Sequence, residues 1–326
     1  MKSQLTSRTL IPTIHKLKPP TKPVNLIFPK ISSQPTRPIS KSKMTTPIDI
    51  SQTASRATSF RSLHQPGNPL ILSNIWDPIS ARIMASNPKC KALATASFAL
   101  AHSIGKSDDD LTLEDNLSLI KPIALVAHSL NLPLTVDLQD GYAPQDNLDL
   151  LKETITTLIK DFGVVGINLE DSWHTTATWH KTAPIGISGD VIPENHAVER
   201  IKTILSTAKE LGVSDFVINA RSDTFLFGGS LDESIRRGKK YLEAGAETIF
   251  IFWPPKWEMK REDVQRVIDE LGGKVNITCR LTEIGKGGFT AQELGQMGVA
   301  RVSVGPGIYM AALGAIKEAA GKILGA

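Results

Sequence analysis

From Leu70 onward, short apolar and β-branched runs alternate with longer stretches of helical period. The runs predict strands over 70–76, 92–98, 132–138, 164–169, 216–220, 248–252, 275–278 and 299–304. Between them lie predicted helices at about 78–86, 112–130, 147–162, 194–211, 232–244, 260–271 and 291–297, with an Ala-rich last helix over 308–323. Ser230 with Glu233, and Thr290 with Glu293, have the spacing of capping boxes. Glycines 163, 212, 245, 272 and 298 stand just ahead of the next strand, where a helix ends most easily. Eight β/α units in about 250 residues are the size of one (β/α)8 TIM barrel, an α/β fold assigned here to residues 49–326. The alternative, an open doubly wound sheet, needs a glycine-rich phosphate turn after its first strand. Here that strand runs into Asn74, Ile75, Trp76, Asp77 and Pro78, so the barrel is favoured.

The run at 164–169 reads as apolar on both faces and leads straight into Glu170 and Asp171. Two adjacent acids at such a place are costly unless a cation, a proton or a substrate answers them. Other strands also end in polar groups. They offer Asn74, Trp76 and Asp77; Thr95, Ser97, His102 and Asp108; Asp137, Gln139 and Asp140; Asn219, Arg221 and Asp223. Carboxylates with an arginine at one rim suit a hard divalent cation and an anionic substrate. Plainer readings stand beside these. Asp140 with Gly141 is better read as a turn, Asp171 as a loop cap, and His128 as structural. Asp77 before Pro78 is either a helix cap or a site residue. Arg221 can pair with Glu170 or Asp223. Gly305-Pro-Gly307 fits either a phosphate-binding turn or a plain entry to the last helix.

Composition changes the picture at one end only. Residues 1–48 hold nine Lys/Arg, eight Pro and no Asp or Glu. Such a segment cannot bury enough apolar surface to order itself, and it is read as a disordered basic leader or a transit peptide. Only Met1 to about Leu17 is free enough of proline for a targeting helix, and Met44 is an alternative start. A transit role for residues 1–43 would make the protein mitochondrial; otherwise it is expected to be cytoplasmic. The remainder carries 28 basic and 33 acidic residues, which gives no hint of nucleic-acid binding. No apolar run is long enough to span a bilayer, so no membrane partner is expected. Cys90 and Cys279 form neither a metal spacing nor a disulfide framework.

Taken together, Asn74 to Asp77, Thr95 to Ser97, Asp137 to Tyr142, Gly166 to Ser172, Ile218 to Asp223 and Arg301 to Gly305 resemble the phosphoenolpyruvate mutase/isocitrate lyase superfamily. The resemblance runs from about Asn68 to the C-terminus. It is nearest to mutase-like members that carry the Asn168-Leu-Glu-Asp-Ser172 form. It implies a barrel whose eighth helix is exchanged between subunits of a homodimer or homotetramer, with Mg2+ at the strand ends. It also implies a small carboxylate substrate, an α-keto or 2-hydroxy acid, diacid or phosphono analogue. A C–C or P–C bond of that substrate would react through an enolate, in lyase, hydrolase or mutase chemistry. By position, Asp137 and Glu170 match the metal site and Arg221 the substrate-binding arginine. Thr95, Ala96 and Ser97 match the carboxylate-binding segment, with Trp76 and Asn219 beside the substrate.

Three departures bear on chemistry. Gln139 stands where the mutase and lyases have aspartate, which removes a charge from the metal site. Residues 172–193 contain no cysteine, whereas the lyases carry their catalytic thiol there. Ala96 stands where a serine is expected. Standard isocitrate or methylisocitrate cleavage is therefore not expected. The 172–193 loop instead holds Trp173, His174, Trp179, His180 and Lys181 and resembles a lid, with His180 and Lys181 as candidate proton carriers. Asp108 is a further candidate acid. Two alternatives remain open: hydroxymethyl-transfer or aldol chemistry on a related barrel, and a barrel that binds a keto acid or metal without turnover.

Overall fold

A computed structural model describes residues 48–143, 147–173, 191–253 and 258–325. Asp49 caps a first helix, α1 (Ile50–Ser62), by accepting from the amides of Ser51 and Gln52. The pattern of apolar positions does not predict this helix. Its buried face is Thr53, Arg56, Ala57 and Phe60, correctly spaced for a helix but half polar, so apolar periodicity does not reveal it. The predicted first strand is broken at Ser73 into β1 (Leu70–Leu72) and β2 (Asn74–Ile75). Then follow β3 (Leu93–Thr95), β4 (Leu134–Asp137), β5 (Gly166–Glu170), β6 (Val217–Ser222), β7 (Thr248–Ile251), β8 (Asn276–Thr278) and β9 (Arg301–Ser303). The helices between them are α2 (Pro78–Ala85), α3 (Ser97–Ser103), α4 (Leu113–Ser129), α5 (Leu148–Lys160), α6 (Glu194–Glu210), α7 (Leu231–Glu243), α8 (Arg261–Glu270) and α9 (Ala291–Met297), and α10 (Gly307–Leu324) ends the chain. The short α3 is a second unforeseen helix; it begins inside the run predicted as a strand to Phe98.

Every pairing between the named strands is parallel. Six strands run β2-β3-β4-β5-β6-β7 and three run β1-β9-β8. A bridge between Ile249 and Val275 joins the two groups, and the shared β1–β2 strand closes the ring. Followed once around, the register returns to β5 at residue 162 instead of Glu170, a shift of eight residues. That shear belongs to a closed (β/α)8 barrel.

Parallel partners share a face, so the same register sorts inside from outside. Asp137, Asn168, Asn219 and Thr248 point inward and form a relay across four strands. Asn168 donates to Asp137 Oδ1 at 3.1 Å, Asn219 donates to Asn168 Oδ1 at 2.7 Å, and the Thr248 hydroxyl donates to Asn219 Oδ1 at 2.6 Å. Asn276, which donates to Ser303 Oγ at 3.1 Å, continues the polar interior. The strand at 164–169 is thus not apolar on both faces. Ile167 and Leu169 pack outward under the helices, while Gly166, Asn168 and Glu170 look into the barrel. The outward layer carries the hydrophobic core, each fully buried Ile, Leu or Val contributing about 1.5–3 kcal/mol. Phe60 of α1 fills the barrel floor. A side chain at Gly166 would lie 3.1 Å from its ring and 2.7 Å from the Val217 carbonyl, so only glycine fits there.

One side of the barrel is less covered. Ile71, outward on β1, is 51% exposed, whereas outward Ile167, Ile218, Ile249 and Val302 are fully buried. Helix α10 buries only Tyr309 and leaves Met310, Leu313, Ile316, Ile323 and Leu324 exposed. Ile79 and Ile83 on α2 are exposed as well.

Candidate active site

With the shear shared equally among the strands, Asn74, Asp137, Glu170 and Arg221 fall in the top interior layer, at the strands' carboxyl ends. Arg221 is clamped there. Its Nε donates to Asp223 Oδ1 and its Nη1 to Glu170 Oε1, both at 2.6 Å, and the guanidinium lies 4.2 Å over the Phe252 ring. Burial works against the charged form, but Asp223, Glu170 and Asp137 outweigh it and hold the guanidinium above its ordinary value. About an eighth of this side chain stays open (13%), against 2% for Glu170. The two pairings that the sequence allows for Arg221 are therefore both made, as a three-member ion cluster with the arginine facing the rim.

The β4 end is shaped by two non-glycine residues at positive φ, Gln139 at 48° and Tyr142 at 54°. Such conformations cost free energy and collect at functional sites. Gln139 is buried. Its Nε2 donates to the Asp108 carbonyl at 2.9 Å and to Asp108 Oδ1 at 3.1 Å, and its carbonyl accepts from the Glu170 amide at 2.8 Å. The residue that removes a charge from this rim thus fastens Asp108 to it, a role that composition gives no means of finding. Asn116 of α4 supports the same turn, donating to the Asp137 carbonyl at 3.0 Å and the Tyr142 hydroxyl at 2.9 Å.

Several expected substrate contacts are placed elsewhere. Asn219 is 1% exposed, two residues below Arg221 on the same face and so roughly 6.6 Å deeper; its amide serves the interior relay, not the rim. The Thr95 hydroxyl accepts from the Asp137 amide at 2.9 Å, between strands. Ala96 precedes α3 as its cap residue, and the Ser97 amide donates to Asp137 Oδ2 at 3.0 Å. This segment positions Asp137; its hydroxyls are buried. Trp76 lies beside the rim, edge to face with Tyr309 at 5.1 Å. The amides of Val304 and Gly305 donate to Asn74 Oδ1 at 3.2 and 3.0 Å, so the Gly305-Pro-Gly307 turn has already used the groups that would hold a phosphate. His180 and Lys181 lie outside the described residues.

The plainer readings hold at three positions. Asp77 caps α2 in a capping box with Ser80. Asp140 accepts from the Tyr142 amide within its turn, and His128 bonds the Phe162 carbonyl. Asp171 is more than a cap: it accepts from the Asp223 amide at 2.7 Å, the Tyr241 hydroxyl at 2.7 Å and Arg237 at 3.3 Å. Burial first, and then the neighbouring Asp223 charge, push its carboxyl up to about 6. Ser172 donates to Asp223 Oδ2 at 2.6 Å, so this network braces the Arg221 cluster from behind.

Among the described residues no group of three or more His, Cys, Asp or Glu stands in a ligating arrangement. Mg2+ asks for less, since one or two carboxylates with waters and substrate oxygens suffice. Asp137, an oxygen donor on the rim layer that also holds Glu170, fits that requirement.

A closed parallel barrel with acids and a clamped arginine at its carboxyl-end rim is the architecture of a (β/α)8 enzyme site. The family model described as phosphoenolpyruvate phosphomutase matches residues 60–324, and the chain belongs to that family, within the phosphoenolpyruvate mutase/isocitrate lyase superfamily. Among its relatives, the 2-methylisocitrate lyase of Escherichia coli (strain K12) is 29% identical over 246 residues, covering 72% of this chain and 76% of that protein. An uncharacterized Mycobacterium tuberculosis protein is 28% identical over 270 residues, covering 80% and 87%. A Burkholderia cenocepacia J2315 structure classed provisionally as a phosphonomutase superposes with a TM-score of 0.68 at 30% identity, covering 84% of this chain and 100% of that one.

Proposed function

We propose that the chain is a Mg2+-dependent lyase- or mutase-type enzyme. Its substrate class would be a small α-keto or 2-hydroxy acid, diacid or phosphono analogue, reacting through an enolate with C–C or P–C bond chemistry. The observation that carries this reading is the pairing within one layer of Asp137, an oxygen donor for a hard cation, with Arg221, a fixed guanidinium open toward the rim. Asp137 would hold the metal, with Glu170 and Asp108 as the further acids beside it. When bound, Mg2+ supplies a Lewis acid for a keto oxygen. Arg221 would bind the anionic end of the substrate and stabilise charge as it develops, at no reorganisation cost, because Glu170 and Asp223 already hold it in place. Asp108, oriented by Gln139, would move a proton, with His180 and Lys181 proposed alongside it.

Binding tests the site before the substrate is known. A ligand present at a hundred times its Kd stabilises by about 2.7 kcal/mol, readily seen as a rise in melting temperature. Oxalate, the plainest stand-in for a pyruvate-like enolate, is expected to raise it only with Mg2+ present. Asp137→Asn and Arg221→Lys are expected to abolish the rise. A wild-type protein indifferent to Mg2+ with oxalate would overturn the reading. Relatives named for 2-methylisocitrate, oxaloacetate and 2,3-dimethylmalate supply the panel for product formation, with phosphonopyruvate for the P–C case.

We also propose that the chain pairs through α10. An 18-residue helix with one buried side chain, together with exposed Ile71, Ile79 and Ile83, supports docking of α10 on a second copy. Light scattering should report a dimer or tetramer, and Ile316→Glu should shift it toward monomer; a monomeric wild type would end this proposal.

A further inference from the structure

Arg301 is a large polar side chain of the barrel interior that none of the site chemistry uses. It is 3% exposed, and its Nε and Nη1 have no hydrogen-bond partner among the described residues. Its place follows from register. Arg301 pairs with Asn276, and Asn276 shares the inward face with Ser303 because Val275 pairs with outward Ile249. With the shear divided equally among the strands, Arg301 lies about three residues below Asp137 along the barrel axis. Asp137 is the carboxylate whose charge acts on it.

A guanidinium here stays charged. Burial lowers it only to about 9, still well above neutrality. Among the described residues, Asn276 Oδ1, Thr135 Oγ1 and His64 Nε2 are also unanswered groups of the interior and floor. His64 spends Nδ1 on the Phe60 carbonyl. Burial, with the nearby charge of Arg301 adding to it, drops this imidazole to about 3, so at neutral pH Nε2 is an acceptor. An anion would satisfy the arginine and leave these acceptors wanting. Water satisfies both kinds and, unlike an anion, does not neutralise the positive charge. An arginine kept for structure normally ends on a carboxylate or on carbonyls, as Arg200 ends on the carbonyls of Asp140 and Ala143.

We infer that Arg301 is a positioning charge set beneath the Asp137 carboxylate, weakening cation binding at the rim and favouring an anionic ligand there. Resting on the metal-and-anion reading of the rim, this inference adds an order to it: the cation is held well only once an anionic ligand is present. A unit charge roughly 10 Å from a divalent ion, at an effective dielectric constant of about 20, changes cation affinity by at least about tenfold.

The test is calorimetric titration of Mg2+ into wild type, Arg301→Lys, Arg301→Gln and Arg301→Met, without and with oxalate, and of oxalate into each in the presence of Mg2+, each also melted. Expected are Mg2+ binding at least tenfold tighter and oxalate binding weaker in the Gln and Met variants. Wild-type behaviour should be kept in Lys, with melting temperatures held or raised when the buried charge is removed. A merely structural arginine predicts the reverse, namely lower melting temperature and unchanged or weaker Mg2+ binding in both neutral variants, and that result overturns the inference. Should Met fail to fold, Gln against Lys carries the same comparison. Failure of wild type to bind Mg2+ with oxalate present strikes the rim reading itself and this inference with it. Normal wild-type binding with no change in the variants strikes the inference alone.

Discussion

Two arginines look into the same barrel and are treated in opposite ways. Arg221, at the rim, has two carboxylates at 2.6 Å and an aromatic ring beneath its plane. Arg301, at the floor, has among the described residues neither an ion-pair partner nor a hydrogen bond at Nε or Nη1. Burial disfavours both charges, yet Arg221 is held above its ordinary value and Arg301 below it. The difference shows that sharing a fold layer or a degree of burial does not set what a charge does; its partners do. Arg221 is fixed in position by partners that balance it. Arg301 keeps its field, which reaches Asp137.

The comparison can be broken most forcefully at Arg221. Arg221→Ala leaves Glu170 and Asp223 buried without their cation, and should cost about 3–5 kcal/mol in chemical denaturation. A loss under about 1 kcal/mol, the worth of a merely superficial pair, would mean the clamp is not as tight as its distances. Next in size is the acid behind the clamp. Asp171 has its pKa raised from 3.8 to about 6 in the folded protein, so between those values the native state holds the extra proton. Its contribution therefore makes stability fall as pH rises from about 4 to about 6, by ~3 kcal/mol at most. Comparing wild type with Asp171→Asn across that window isolates the effect, and parallel pH curves would refute it. Arg301→Met should be neutral or stabilising by ~1–2 kcal/mol, opposite in sign to Arg221→Ala. Equal destabilisation by both would erase the contrast. The smallest effect serves as a control far from either arginine: Thr290→Ala should remove the α9 capping box at a cost of about 1 kcal/mol, with ligand binding unchanged.

How far the sequence reached can be told from the same elements. Strand and helix order were legible because short apolar, β-branched runs alternate with stretches of helical period and because caps such as Ser230 and Thr290 mark helix starts. Asp137, Glu170 and Arg221 were legible because a charge directly after an apolar run is costly to bury unless the strand ends at a polar site. Helix α1 was not, since Thr53 and Arg56 occupy half of its buried face. The interior position of Asn219 was also missed. Two residues separate it from Arg221, and no local pattern tells which turn of the pleat reaches the rim.

By itself, the sequence determined the alternation of elements, hence a parallel α/β barrel, and the chemical kinds gathered at its strand ends. Those follow from local periodicity and from the cost of burying charge. Only the tertiary structure decided that Arg221 bonds Glu170 and Asp223 together, that Gln139 holds Asp108, that Asn74 occupies the Gly305 turn, and that Arg301 stands, among the described residues, without a bonded partner at Nε and Nη1. Each of these joins or separates residues that are far apart in the chain, some by more than two hundred positions. Such pairs are set by register and shear around a closed ring, which no local stretch of sequence encodes.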